Sequence, residues 1–312
     1  MTERPTDRET PGAVLAELLG ASKTYATGSS AVHAVAGVDL TVRAGELLAV
    51  LGPNGAGKTT ALGMLTGLTT PTSGTARLFG RDPRDLAVRQ RMGVMLQSSG
   101  VPDTLRVREL LTAFRGYYPA PLPVASVVKA AGLAGLEGRL FGTLSGGQQR
   151  RVLFGIALCG DPELVFVDEP TTGLDAEVRR TLWATLRDLA ATGRGVVLTT
   201  HYLEEADALA DRVVVLNQGR VIAEGTPAQI KSLVPGRRVS AESSIGADQA
   251  SGWAGVHYAQ RDGTRLELLV SEPEPVLREL LHRDRSVTGV TVTEPTLEDA
   301  FLTLTARTEE AA

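Results

Sequence analysis

The octapeptide Gly52-Pro53-Asn54-Gly55-Ala56-Gly57-Lys58-Thr59 constrains this chain more than any other stretch, because of what stands on either side of it. The apolar run Leu47-Leu48-Ala49-Val50-Leu51 precedes it, and helical spacing follows over 60–68. Strand, glycine-rich loop and helix in that order are the context of a phosphate-binding loop. Successive backbone N–H groups and the positive end of a helix can hold a triphosphate there, and glycines let the main chain wrap it closely. In the usual division of labour Lys58 reaches the β and γ phosphates and Thr59 ligates Mg²⁺, with Thr60 in the same cradle.

A strand that feeds a helix through such a loop also points to a fold class. Strand patterns at 75–79, 93–96, 196–200 and 213–216 alternate with helical patterns at 85–91, 177–190 and 204–210. That alternation predicts an α/β fold with a mostly parallel core sheet covered on both faces. Before the loop, residues 14–42 alternate apolar and polar around Gly28-Ser29-Ser30, which predicts N-terminal antiparallel strands. Helical patterns at 107–117 and 124–131, separated by Pro119, Pro121 and Pro123, predict an inserted helical subdomain over about 98–143. Composition shifts after Pro235-Gly236, so the reading is one domain over 13–234 and a small α+β domain over 235–312, with a hairpin turn at Asp262-Gly263. Residues 1–12 are polar and read as a disordered tail.

Two further motifs carry chemistry. Leu164-Val165-Phe166-Val167-Asp168-Glu169 is a buried-strand pattern ending in two carboxylates, and an unpaired carboxylate there would be costly without a nearby cation. Leu144-Ser145-Gly146-Gly147-Gln148 places a hydroxyl and backbone donors at the start of a helix, a second anion site. A chain that already has one phosphate cradle has no internal use for another, which implies a partner. A net charge of −4 gives no drive toward nucleic acid. Cys159 is the single cysteine, so no intramolecular disulfide forms. No apolar run reaches the roughly 18 residues of a membrane-spanning helix, so any path across a membrane would belong to another chain.

These three motifs, in this order, resemble the ATP-binding subunit of an ABC transporter, over a span from about Leu15 to Pro227. The resemblance implies ATP and Mg²⁺ as ligands and gives each matching position a role. Asp168 would hold the metal through water, and Glu169 would be the general base that polarises the attacking water. Gln97 matches the glutamine loop that touches the metal and senses the membrane partner, and His201 matches the switch histidine that contacts the γ phosphate and orients Glu169. Tyr25 resembles the aromatic residue on which adenine stacks. Ser145, Gly146, Gly147 and Gln148 would close over ATP bound to a second copy, and Asp175 matches the aspartate that communicates across the dimer. In many members Ser-Ala-Leu-Asp stands where this chain has Thr172-Gly173-Leu174-Asp175.

The runs 199–206, 93–97 and 294–301 are similar to the daunorubicin-resistance branch, which implies a peripheral motor on the cytoplasmic face of the membrane. Such a motor works with a separate permease to export drugs, antibiotics or lipid-like molecules. The region of Gln97, Leu105, Phe114, Tyr117 and Tyr118 is where the resemblance places the groove for a permease coupling helix; the same aromatics also suit a subdomain core. Two other readings stay open at this stage: a soluble ABC ATPase acting on ribosomes or DNA without a permease, and the motor of an importer.

Overall fold

The computed structural model describes residues 10, 12–27, 30–96, 100–234 and 236–310, with the backbone alone at 27, 30 and 306–310. In chain order the elements open with strands β1 (Val14–Thr27), β2 (Ser30–Arg43) and β3 (Leu47–Leu51), then helix α1 (Lys58–Leu65) and strand β4 (Ser73–Leu78). Next come α2 (Leu86–Arg89), β5 (Met92–Met95), α3 (Val107–Arg115), α4 (Val124–Ala130) and, after a short 3₁₀ turn, α5 (Gly146–Leu158). The first unit closes with β6 (Leu164–Asp168), α6 (Ala176–Ala191), β7 (Gly195–Thr199), α7 (Leu203–Leu209), β8 (Arg212–Asn217) and β9 (Arg220–Gly225). The second holds α8 (Pro227–Ser232), β10 (Arg237–Glu242), α9 (Ala247–Ser251), β11 (Val256–Asp262), β12 (Arg265–Val270), α10 (Pro273–Arg283), β13 (Thr288–Thr293) and α11 (Leu297–Glu310).

The core sheet runs β5-β6-β7-β3-β8-β9. Neighbours from β5 to β8 are parallel. Its strands are buried at nearly every position, as expected of a sheet covered on both faces. Alternate residues therefore enter different cores. Val165, Val167, Val196 and Leu198 pack with α3, α4, α5 and α6 residues such as Leu110, Val127, Phe154 and Leu186. Leu164, Phe166, Val197 and Val214 pack instead with Leu62 and Leu65 of α1 and with Leu15, Leu18 and Leu40 of β1 and β2. A separate antiparallel sheet, β2-β1-β4, carries the N-terminal strands.

Leu105, Phe114 and Tyr118 pack against the first of these cores, and Tyr117 is 71% exposed. Three of the aromatic and aliphatic side chains considered for a docking groove thus contribute to the subdomain core.

The chain divides into compact units at 1–224 and 225–312. That division falls ahead of the composition shift at Pro235-Gly236, because α8 belongs with the second unit. Thr226 and Gln229 form a capping box at its start, Ile230 is buried, and α8 packs on α11. Within the second unit, an antiparallel sheet ordered β11-β12-β10-β13 packs with α9 and α10 around Val239, Leu266, Leu268, Val276 and Leu280. Asp262 pairs with Arg265, so the hairpin turn is made by Gly263 and Thr264, one residue later than the Asp-Gly pattern suggested; Gly263 takes the positive φ, 58°.

Cys159 lies wholly buried in the first core, and burial pushes its thiol from 9.0 up to about 11, against the opposing influence of Arg115. The folded protein keeps this proton while the unfolded chain loses it, so stability falls as pH rises from about 9 toward 11. Native protein at pH 8 is expected to resist alkylation by iodoacetamide and to react fully once denatured. Rapid labelling of the native state would contradict that burial.

Candidate functional site

Three parallel strands deliver the candidate residues to one edge of the core sheet. β3 ends at Leu51 before the glycine loop, β6 ends at Asp168 with Glu169 next, and β7 ends at Thr199 two residues before His201. The carboxyl edge of such a sheet is where loops from neighbouring strands converge on a ligand.

The glycine loop is shaped by its surroundings. Gly57 takes φ 103°, and a Cβ there would lie 2.4 Å from the Ala34 carbonyl oxygen on β2. A Cβ on Gly52 would lie 2.4 Å from the Leu216 oxygen on β8. The turn after β8 braces the loop, since Gly219 N–H donates to the Ala56 oxygen at 3.0 Å and Ala36 N–H donates to the Gly219 oxygen at 2.8 Å. Pro53, Asn54 and Gly55 stay exposed, as does Thr59. No side chain caps α1, and its first turn has no acidic residue, so its leading N–H groups remain available for an anion.

Lys58 is buried, and its Nζ donates to the oxygens of Gly52 (2.6 Å) and Pro53 (3.1 Å). Burial lowers its pKa, while the carboxylates of Glu169 and Asp168 pull it back up. A partly desolvated ammonium beside the uncapped start of α1 favours an anion.

Gly57→Ala combines a forbidding backbone angle with a clash on main chain and is expected to cost more than about 2 kcal/mol. Gly55→Ala, at φ 82° with nothing within 4 Å of its Cβ, is expected to cost about 1 kcal/mol. Thermal melts that ranked the two in the opposite order would contradict the packing against Ala34.

Asp168 is buried and accepts a short hydrogen bond from the Thr199 hydroxyl. With Thr59, Thr66 and Val94 it lines a cavity of about 240 Å³. A carboxylate and a hydroxyl on one cavity are hard oxygen donors, suited to Mg²⁺, which also keeps waters and phosphate oxygens as ligands.

Glu169 adopts φ 47°, rare for a side chain of its kind, and its N–H donates to the Thr199 oxygen at 2.9 Å. That conformation turns the carboxylate toward His201, whose Nδ1 lies 3.2 Å from Glu169 Oε1. The next helix, α6, is capped by Asp175, whose Oδ1 accepts from the N–H groups of Glu177 (3.1 Å) and Val178 (2.9 Å).

Lys58, Thr59, Asp168, Glu169 and His201 thus gather at one edge. The other expected residues stand elsewhere. Ser145 is exposed at the start of α5, its Oγ accepting from Gln148 N–H at 3.3 Å and its own N–H donating to Gln148 Oε1 at 3.1 Å. This capping box leaves the hydroxyl proton and the N–H groups of Gly146 and Gly147 free to donate outward. Among the described residues no hydrogen bond or ion pair joins Ser145, Gly146, Gly147 or Gln148 to the glycine loop. Tyr25 is 40% exposed on β1, with Lys23 Nζ 5.2 Å from its ring centre. Gln97 lies outside the described residues.

Sequence reasoning passed over Thr199, which touches both Asp168 and Glu169, and over Glu205, wholly buried on α7. The place of Glu205 four residues before Leu209 is compatible with the buried side of that helix, but Glu204 and Asp207 stand beside it and pattern alone does not choose among the three.

Residues 35–172 match the ABC transporter family. The Nod factor export ATP-binding protein I of Burkholderia lata is 39% identical over 286 residues, covering 88% of this chain and 92% of that protein. The chain belongs to the ABC transporter family. The daunorubicin/doxorubicin resistance ATP-binding protein DrrA of Streptomyces peucetius is 37% identical over 319 residues, covering 95% of this chain and 96% of that one. A solved dimeric ATP-binding cassette in a post-hydrolysis state, bound to ADP and phosphate, superimposes with a TM-score of 0.63 at 26% identity, covering 68% of this chain and 98% of that one. The fold is that of an ABC cassette, the family's activity is ATP hydrolysis coupled to transport, and its cassettes bind nucleotide.

Proposed function

We propose that this cassette is the ATP-hydrolysing motor of an exporter, pairing with a second copy around two ATP molecules and driving a separate membrane permease. The observation that carries the hydrolytic role is the Glu169 and His201 pair at the ends of neighbouring strands, with Lys58 and Asp168 at the same edge. In this reading the loop 52–60 cradles the phosphates, Lys58 meets the β and γ phosphates, and Tyr25 stacks on adenine. Thr59, Asp168 and Gln97 would hold Mg²⁺, which supplies charge neutralisation on the phosphate oxygens. Glu169 takes the proton from the attacking water while His201 holds its carboxylate in place.

Ser145 and Gly146 are exposed and, among the described residues, make no hydrogen bond or ion pair to this chain's own cradle, which favours use of the Ser145, Gly146 and Gly147 donors on the ATP of the second copy, with Gln148 fixing the turn. Asp175 stands at the start of α6, where it would meet the same interface. No helix among the described residues is long and apolar enough to cross a membrane; in this reading, which the exporter relatives favour, the pathway belongs to the permease and this subunit to its cytoplasmic side. The relatives act in drug resistance and Nod factor export, which favours amphipathic or lipid-like cargo moved outward.

Pull-down of the tagged chain from detergent-solubilised membranes is expected to bring a multi-helix permease, and inverted vesicles holding the pair should take up daunorubicin in an ATP-dependent way. A chain that fractionates with ribosomes or DNA and captures no membrane protein would overturn the transport reading. Uptake only in right-side-out vesicles would make it an importer.

A further inference from the structure

Among the described residues of the first unit Glu205 is the most deeply enclosed carboxylate, at 0% exposure, and it sits on α7 four residues after His201. Its oxygens gather hydrogen bonds from three separate segments. Oε1 accepts from Trp183 Nε1 on α6 at 2.8 Å. Oε2 accepts from the Thr171 hydroxyl at 3.2 Å, two residues after Glu169. The Thr200 side chain, directly before His201, is also bonded to this carboxylate, while Thr200 Oγ1 accepts from Tyr202 N–H at 2.9 Å. A carboxyl group in that position is expensive compared with an apolar residue, and three donors are needed to offset it. Burial raises its pKa, with the hydrogen bonds and the Arg179 charge opposing that shift.

We propose that Glu205 is a positioning residue for hydrolysis, tying the segment after Glu169 and the residue before His201 to α6 through Trp183. The Glu169 to His201 spacing then follows the placement of α6, the helix that Asp175 caps. This inference rests on the hydrolytic reading above. Glutamine keeps an oxygen for the Trp183 N–H and offers its amide to the Thr171 hydroxyl, which can turn to accept, so the junction survives Glu205→Gln and is lost in Glu205→Ala.

The test is steady-state ATP hydrolysis by the full chain, with near-UV circular dichroism to check folding. Glu205→Ala is expected to lower kcat at least about tenfold with KM for ATP within about twofold, and Glu205→Gln to stay within about threefold of wild type. A folded Glu205→Ala protein with wild-type kcat would overturn the inference, as would a Glu205→Gln protein as slow as Glu205→Ala. If Glu205→Ala does not fold, Trp183→Phe takes its place: a kcat drop of about threefold or more at unchanged KM supports the tie, and wild-type turnover overturns it. Glu169→Gln in the same assay separates the two levels. If it hydrolyses normally, the hydrolytic reading fails; if it is inert while Glu205→Ala is normal, only the role of Glu205 fails.

Discussion

Glu169→Gln should hold ATP with near-normal affinity and hydrolyse it at least about a hundredfold more slowly, the usual scale for removing a positioned general base. The substitution keeps the size and hydrogen-bonding reach of the side chain next to His201 but removes its ability to take a proton. Because Glu169 stands at φ 47° and is held by Thr199 on the neighbouring strand, the variant backbone has little room to relax elsewhere. Turnover measured by phosphate release, beside nucleotide affinity from equilibrium binding, separates the two effects. A variant that releases phosphate at the wild-type rate would remove Glu169 from the base role and leave the strained turn unexplained.

Lys58→Ala should act on the other half of the cycle. The ammonium is already stripped of much of its water and rests on the Gly52 and Pro53 oxygens. Trading those bonds for phosphate oxygens restores full charge pairing, and charge-assisted hydrogen bonds of this kind contribute about 1.5–3 kcal/mol. Loss of that contact is expected to weaken ATP binding by roughly 10- to 150-fold. Isothermal titration gives the affinity directly, and unaltered ATP binding by a folded Lys58→Ala protein would contradict the cradle.

Much of this site was legible because its residues are punctuated by strand ends. The run 47–51 before the glycines and the run 164–168 before Glu169 are apolar enough to be read as buried strands, and both are β-strands of the core sheet. Parallel strands then bring their carboxyl ends to one edge whatever the order in sequence, so His201 and Glu169 meet although 32 positions separate them. What pattern could not give was the partnership of side chains that lie between elements. Glu205 belongs to a helix reading Leu-Glu-Glu-Ala-Asp-Ala-Leu, in which acidic residues look solvated, and only packing shows which one turns inward to Trp183. Likewise Thr199 reads as the end of a strand until its hydroxyl is seen on Asp168. The compact units part ahead of the break in composition for a related reason: that break comes at a loop, whereas α8 ahead of it is bound by Ile230 and α11 to the second unit.

The solution mass of the full-length Glu169→Gln protein, measured by light scattering with and without saturating MgATP, bears most directly on the claim that two copies share each nucleotide. The account predicts the mass of one chain without ATP and of two chains with it, and a return to one chain when Ser145→Arg is added, with ATP still bound. One-chain mass at saturating ATP, or a two-chain mass indifferent to Ser145→Arg, would contradict it.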